Sequence, residues 1–242
     1  MKNIKLIYLL PNLFTALSVF FGMMSIIASS QGKFEKAFIY IVLSFIADGL
    51  DGRVARMTNT QSQFGLEFDS LADIVAFGVA PAMMLFFSIG DGYGKFGALA
   101  TGLFVVFGAI RLARFNVTTE NNDPGVFIGL PIPTAAAVLA SFIMLNIDLN
   151  HIFNIPILIG ALGLGILMVS NVRFPSFKKI DVQKNAKMKV LIAIIVIASF
   201  LYLYPIWTLA IILGGYTTYG VVRAILNIKK IYKKGENNEK NN

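Results

Sequence analysis

Residues 48–73, DGLDGRVARMTNTQSQFGLEFDSLAD, set four aspartates and two arginines inside an otherwise apolar chain. Asp48, Asp51, Gly52, Ala55 and Arg56 stand at i, i+3, i+4, i+7 and i+8, which is one face of a helix. Gly65, Asp69 and Asp73 stand at i, i+4 and i+8, again one face. The polar turn MTNTQSQF between them predicts two antiparallel neighbouring helices whose acidic faces meet. Four carboxylates brought that close repel one another, so protons or cations must offset them. An all-oxygen cluster without histidine or cysteine suits Mg2+, Mn2+ or Ca2+ rather than zinc or copper. Glu67 points away from the Asp69/Asp73 face. Gly52 and Gly65 fit two readings, a close helix contact or room for a ligand.

The elements that must position these residues are membrane helices. Of 242 residues, 56% are hydrophobic and 14% charged, and the mean hydropathy is +0.71. No soluble domain with a single core has that balance. Apolar runs long enough to cross about 30 Å of hydrocarbon recur along the chain without the alternation of barrel strands. The expected architecture is an all-α integral membrane protein, a polytopic bundle of about eight transmembrane helices at 11–30, 35–57, 64–88, 95–115, 131–148, 152–171, 188–204 and 206–226. The N-terminal run reads as the first of these, because no small-residue cleavage site follows it. Residues 1–234 read as one domain and the polar end, 235–242, as a disordered tail.

The net charge of +8 reports orientation rather than nucleic acid binding. With both termini cytoplasmic, only Lys33, Lys36 and Lys95 fall outside the cytoplasmic ends, loops and tail, as the positive-inside rule requires. The acidic cluster then lies on the cytoplasmic side of a multi-pass protein of the cell membrane. Lys178 and Lys179 read as a membrane anchor. With no cysteine and a single histidine, His151, disulfides and thiolate or histidine-rich metal sites are excluded. Ionisable groups within membrane spans are functional by default. A cation channel or transporter would need polar groups across the whole membrane, yet FIYIVLSF and VAPAMMLFF, the outer halves of the two helices, offer almost none. A purely structural scaffold leaves the carboxylates without a reason.

The pattern D-x2-D-G-x2-A-R-x8-G-x3-D-x3-D resembles, at all eight positions, the signature of the CDP-alcohol phosphatidyltransferase family. The segments PNLFT (11–15), RLARFNV (111–117), GLPIPTAA (129–136) and VSNVRFPSFK (169–178) are similar to its membrane-bound phosphatidylserine synthase branch. The resemblance implies transfer of the phosphatidyl group of CDP-diacylglycerol or CDP-archaeol to the hydroxyl of L-serine, with release of CMP. It also implies two divalent cations, Mg2+ or Mn2+ with Ca2+ able to occupy the site, held by Asp48, Asp51, Asp69 and Asp73, and a homodimer. Asp73, deepest in its helix, would be the base. Gly52, Ala55, Arg56 and Gly65 would line the CDP-lipid site with Asp48 and Asp69. Arg111, Arg114, Asn116, Pro131 and Arg173 are the candidates for serine or phosphate, since guanidinium groups pair with such anions through two hydrogen bonds. Each arginine fits the positive-inside rule equally well. No serine or cysteine stands at the motif's centre, which favours direct attack over a covalent phosphatidyl-enzyme. The runner-up is a sibling transferase using glycerol 3-phosphate or inositol phosphate.

Overall fold

The computed structural model describes residues 9–118, 126–175 and 187–239. Lys2, Lys5, Lys178 and Lys179 lie outside them. Helices α1 (Leu9–Ser30) and α2 (Phe34–Met57) form an antiparallel hairpin. The turn between them uses Gly32 at φ +71°, a left-handed conformation that favours glycine. Their seam is built from small residues, Thr15, Ser18, Gly22 and Ser25 facing Ala37, Ser44 and Ala47. In hydrocarbon there is little hydrophobic gain in helix association, so close packing and hydrogen bonds must hold the pair. Ser18 and Ser44 supply one such rung: Ser44 Oγ donates to the Ser18 carbonyl at 2.8 Å and Ser18 Oγ to the Ser44 carbonyl at 3.2 Å.

The next membrane helix is continuous from Gln63 to Ser88 but not uniform. An α-helical part, α3 (Gln63–Asp73), passes into a π-helical segment (Ile74–Val79) and then α4 (Ala80–Ser88). Wide π turns inside α-helices often mark functional sites, and this one starts directly after Asp73. Helix α1 runs close beside it, since a Cβ on Gly22 would come within 2.9 Å of the Ala76 Cα. The periodicity of 64–88 alone did not predict this interruption.

A short 3-10 turn (Gly90–Tyr93) leads into α5 (Gly94–Thr118), followed by α6 (Ile132–Asp148), α7 (Asn154–Val169), α8 (Lys187–Leu203) and α9 (Pro205–Glu239). The strands β1 (Val126–Ile128) and β2 (Arg173–Pro175) pair antiparallel, Ile128 opposite Arg173. This small pair is an addition to the all-α reading; segments of three residues are too short to show a period. The core comprises Phe77, Met84, Leu85, Phe104, Ile132, Leu139, Leu158 and Met168, all fully buried. It is therefore made by α4 to α7 and the π segment. Phe174 of β2 is also fully buried, with its ring 5.8 Å from that of Tyr216 on α9.

The eight segments expected from hydropathy all fall on helices. Among the described residues, four helices are long and apolar enough to cross a membrane, Leu9–Ser30, Gln63–Ser88, Gly90–Val117 and Pro205–Ala224, and three shorter ones are apolar. Helix α2 has the length but also carries Glu35, Lys36, Asp48, Asp51, Arg53 and Arg56. This is the helix set of a multi-pass membrane protein.

Helix α9 runs to Glu239. One expectation is corrected: α2 and α3 are not each other's principal partners. Helix α1 packs along α2 and also against α3, the π segment and α4. The acidic helices thus share α1 as a common wall.

Candidate active site

Helix α2 ends in a compact turn where Thr58 Oγ1 donates to the Val54 carbonyl at 2.7 Å and lies 2.7 Å from Thr60 Oγ1. Asn59 takes φ +50° there. Ser62 then caps α3, its Oγ accepting from Gly65 N–H at 3.1 Å. Capping satisfies a backbone donor that the first helical turn leaves free. The chain reverses over a few residues, and the carboxyl groups of two helices reach the same space.

Asp48, Asp51 and Asp69 each place a carboxylate oxygen within 4.8 Å of the others. Asp51 is buried, and Asp48 and Asp69 are half-buried. Asp73, one turn deeper on α3, stands outside that trio but close enough to interact with Asp48 and Asp69. The Oδ1 atoms of Asp69 and Asp73 are buried and meet no hydrogen-bond donor among the described residues. Buried oxygens of that kind carry a heavy desolvation cost unless something positive meets them. Donor chemistry, spacing and these two atoms together fit a hard divalent cation. The cluster can hold a metal ion.

Asp51 has partners of its own. Thr15 Oγ1 on α1 donates to its Oδ2 at 2.7 Å, and the Gly52 N–H donates to its Oδ1. Opposite Asp73, from α5, comes Arg111, which is 7% exposed and close enough for the two charges to interact. Its guanidinium lies 5.3 Å above the Phe115 ring, a contact that stabilises a buried cation. A trio of carboxylates, a fourth beside it and a buried arginine across from the fourth can bind a cation and accept a proton.

Residues 8–169 match the family model described as CDP-alcohol phosphatidyltransferase. The chain belongs to the CDP-alcohol phosphatidyltransferase family. It is 46% identical to a CDP-diacylglycerol–serine O-phosphatidyltransferase of Helicobacter pylori over 234 residues, 95% of this chain and 97% of that protein. An archaetidylserine synthase of Methanothermobacter thermautotrophicus is 35% identical over 178 residues, 72% of each chain. A CDP-diacylglycerol–serine O-phosphatidyltransferase of Bacillus subtilis is 34% identical over 170 residues, 70% of this chain and 92% of that protein.

The other residues singled out in the phosphatidyltransferase motif have mixed surroundings. Gly52 and Ala55 are half-buried beside the acids and Arg56 is exposed. A Cβ on Gly52 would meet only the Arg56 guanidinium, at 3.5 Å. On Gly65 it would meet Ser62 Oγ at 3.2 Å and Asn12 Oδ1 at 3.4 Å, so this glycine serves at least the contact with α1. Glu67 is exposed and off the acidic face, as expected.

Among the acceptor candidates, Arg111 is placed against the acids. Arg114 instead donates to the carbonyls of Val169 at 2.8 Å, Ser170 at 3.1 Å and Ile128 at 3.3 Å. It ties the end of α7 to the start of the β pair. Gly129, at φ +75°, is packed so closely that a Cβ there would lie 2.9 Å from the Arg114 guanidinium. Asn116 donates to Ser70 Oγ at 3.0 Å and so joins the end of α5 to α3. Pro131 caps α6, and Arg173 is exposed on β2.

Thr15 and Asn12 touch the site but were not among the candidate residues. Within PNLFT the available signal is two polar side chains, Asn12 and Thr15, spaced i and i+3 at the start of an apolar helix.

Proposed function

We propose that the protein transfers the phosphatidyl group of a CDP-linked lipid, CDP-diacylglycerol or CDP-archaeol, to the hydroxyl of L-serine. The products are a phosphatidylserine-type lipid and CMP. The observation that carries this reading is the carboxylate cluster of 48–73 in a chain that aligns almost end to end with a serine O-phosphatidyltransferase. In the reaction the serine oxygen attacks the lipid-bearing phosphorus. The bond from that phosphorus to the oxygen of CMP breaks, and the hydroxyl proton passes to a base.

Asp73 is assigned as that base. It sits beside the trio, and no histidine is near. A carboxylate within hydrogen-bond reach of the hydroxyl is the available proton acceptor. Asp48, Asp51 and Asp69, with Asp73 next to them, are assigned to two divalent cations, Mg2+ or Mn2+. When bound, such ions polarise the phosphoryl group and neutralise the pyrophosphate and the departing CMP. Gly52, Ala55, Arg56 and Gly65 line the CDP-lipid, with Arg56 toward its phosphates. Arg111 pairs with the serine carboxylate or a phosphate oxygen and holds Asp73 in place; Arg173 and Asn116 are the further candidates for the same anions. Attack is direct: the motif holds no cysteine, its Ser62 hydroxyl caps α3 and its Ser70 hydroxyl bonds the Leu66 carbonyl and Asn116.

The cluster lies on the cytoplasmic side of the cell membrane in an eight-span arrangement with both termini cytoplasmic, an orientation supported by the lysine and arginine distribution. Residues 1–234 form the catalytic domain, and the protein acts as a homodimer. The deciding assay uses purified protein, CDP-diacylglycerol, Mn2+ or Mg2+, and serine, glycerol 3-phosphate or inositol phosphate in turn. Serine-dependent release of CMP is expected. Release with one of the other acceptors only would move the protein to a sibling activity, and none with any acceptor would overturn the reading.

A further inference from the structure

Thr15 belongs to α1, a helix that contributes none of the eight motif residues. Its hydroxyl has two acceptors in reach, the Pro11 carbonyl at 3.3 Å and Asp51 Oδ2 at 2.7 Å. A threonine in an apolar helix ordinarily satisfies its hydroxyl on a carbonyl one turn back. Here the shorter bond crosses to α2 and ends on a carboxylate. Both partners are nearly inaccessible, Thr15 at 3% and Asp51 at 7% exposure. With the Gly52 N–H on Oδ1, each oxygen of Asp51 has a donor and the carboxylate plane is held at both ends. Asp48 and Asp69, by contrast, have no such donor from α1 among the described residues.

We propose that Thr15 is a positioning residue for Asp51, holding its carboxylate in the orientation in which the trio binds a divalent cation. The inference rests on reading Asp48, Asp51 and Asp69 as a cation site. A hydrogen bond that orients a ligating carboxylate commonly changes metal affinity about 10- to 100-fold when removed. Through this bond the first helix, which also forms the wall shared by α2 and α3, acts on the metal site as well as on packing.

A packing role and a positioning role predict opposite rankings of two conservative variants. Thr15→Val keeps the shape and removes the donor; Thr15→Ser keeps the donor and removes a methyl group. The test is titration of the full-length purified protein with Mn2+ alone, followed by electron paramagnetic resonance, with no lipid or serine present. Thr15→Val is expected to bind Mn2+ about 10- to 100-fold more weakly and Thr15→Ser to bind like the unaltered protein. Binding by Thr15→Val as tight as the unaltered protein's, or a loss confined to Thr15→Ser, would overturn the proposal. If Thr15→Val does not fold, Thr15→Ala replaces it: loss in Thr15→Ala but not in Thr15→Ser supports the role, and equal binding in both overturns it. An unaltered protein that fails to bind Mn2+ would overturn the cation site and this inference together. One that binds Mn2+ but releases no CMP with serine would overturn the acceptor assignment alone.

Discussion

Arg111 and Arg114 are the same residue type, one turn apart on α5, yet their surroundings give them different work. Arg111 is buried over Phe115 and faces Asp73. Arg114 points to the carbonyls of Val169, Ser170 and Ile128. A guanidinium has five donors in a fixed fork and serves a carboxylate or a group of carbonyls equally well. The difference between the two lies in what faces them. Arg111 meets Asp73, the carboxylate proposed as the base, whereas Arg114 meets backbone acceptors at the end of α7 and beside Gly129.

The sharpest test of this contrast is to remove what Arg111 faces. Asp73→Asn keeps the shape but cannot accept the proton, and kcat is expected to fall about 100- to 10,000-fold. Mn2+ binding should persist at the trio Asp48, Asp51 and Asp69 and weaken at a second position that Asp73 shares. Near-normal turnover would dissociate Asp73, and with it Arg111, from the chemistry. Next in size is Arg111→Gln, for which kcat/KM should drop about 30- to 100-fold, the scale of a lost partner in a buried charged pair. Its thermal midpoint should move less than that of the corresponding Arg114 variant. Arg114→Lys, in turn, should cost about 2 kcal/mol of stability, because one ammonium cannot reach three carbonyls with the geometry of the fork. KM for serine should stay unchanged in the protein that folds; a KM increase without loss of stability would erase the distinction between the two arginines. The smallest effect belongs to a polar contact between α1 and α2. Ser44→Ala removes one half of the reciprocal Ser18–Ser44 rung and should cost about 0.6 kcal/mol with no kinetic change.

Much of the site was legible because it is local. Asp48 and Asp51 on one helix, and Asp69 and Asp73 on the next, are related by helical spacing across a short turn, so their convergence follows from periodicity. Helix positions were legible for the same reason, since hydropathy within a window marks them. What was not legible depends on partners remote in sequence. The bond from Thr15 to Asp51 spans 36 residues and that from Arg114 to Ser170 spans 56, and no spacing rule reaches that far. The π segment after Asp73 changes backbone geometry while leaving the apolar pattern intact. The β pair is too short to have a pattern at all.

The sequence by itself therefore determined the membrane helices, the acidic motif and the family, because composition, local periodicity and an eight-position signature are one-dimensional properties. Tertiary structure alone decided that α1 is the wall shared by the two acidic helices, that Thr15 joins the Gly52 N–H in bonding Asp51, and that of two neighbouring arginines Arg111 is the one buried beside Asp73. A polar side chain in an apolar interior takes whichever partner packing brings within about 3 Å, and packing is settled by the whole bundle.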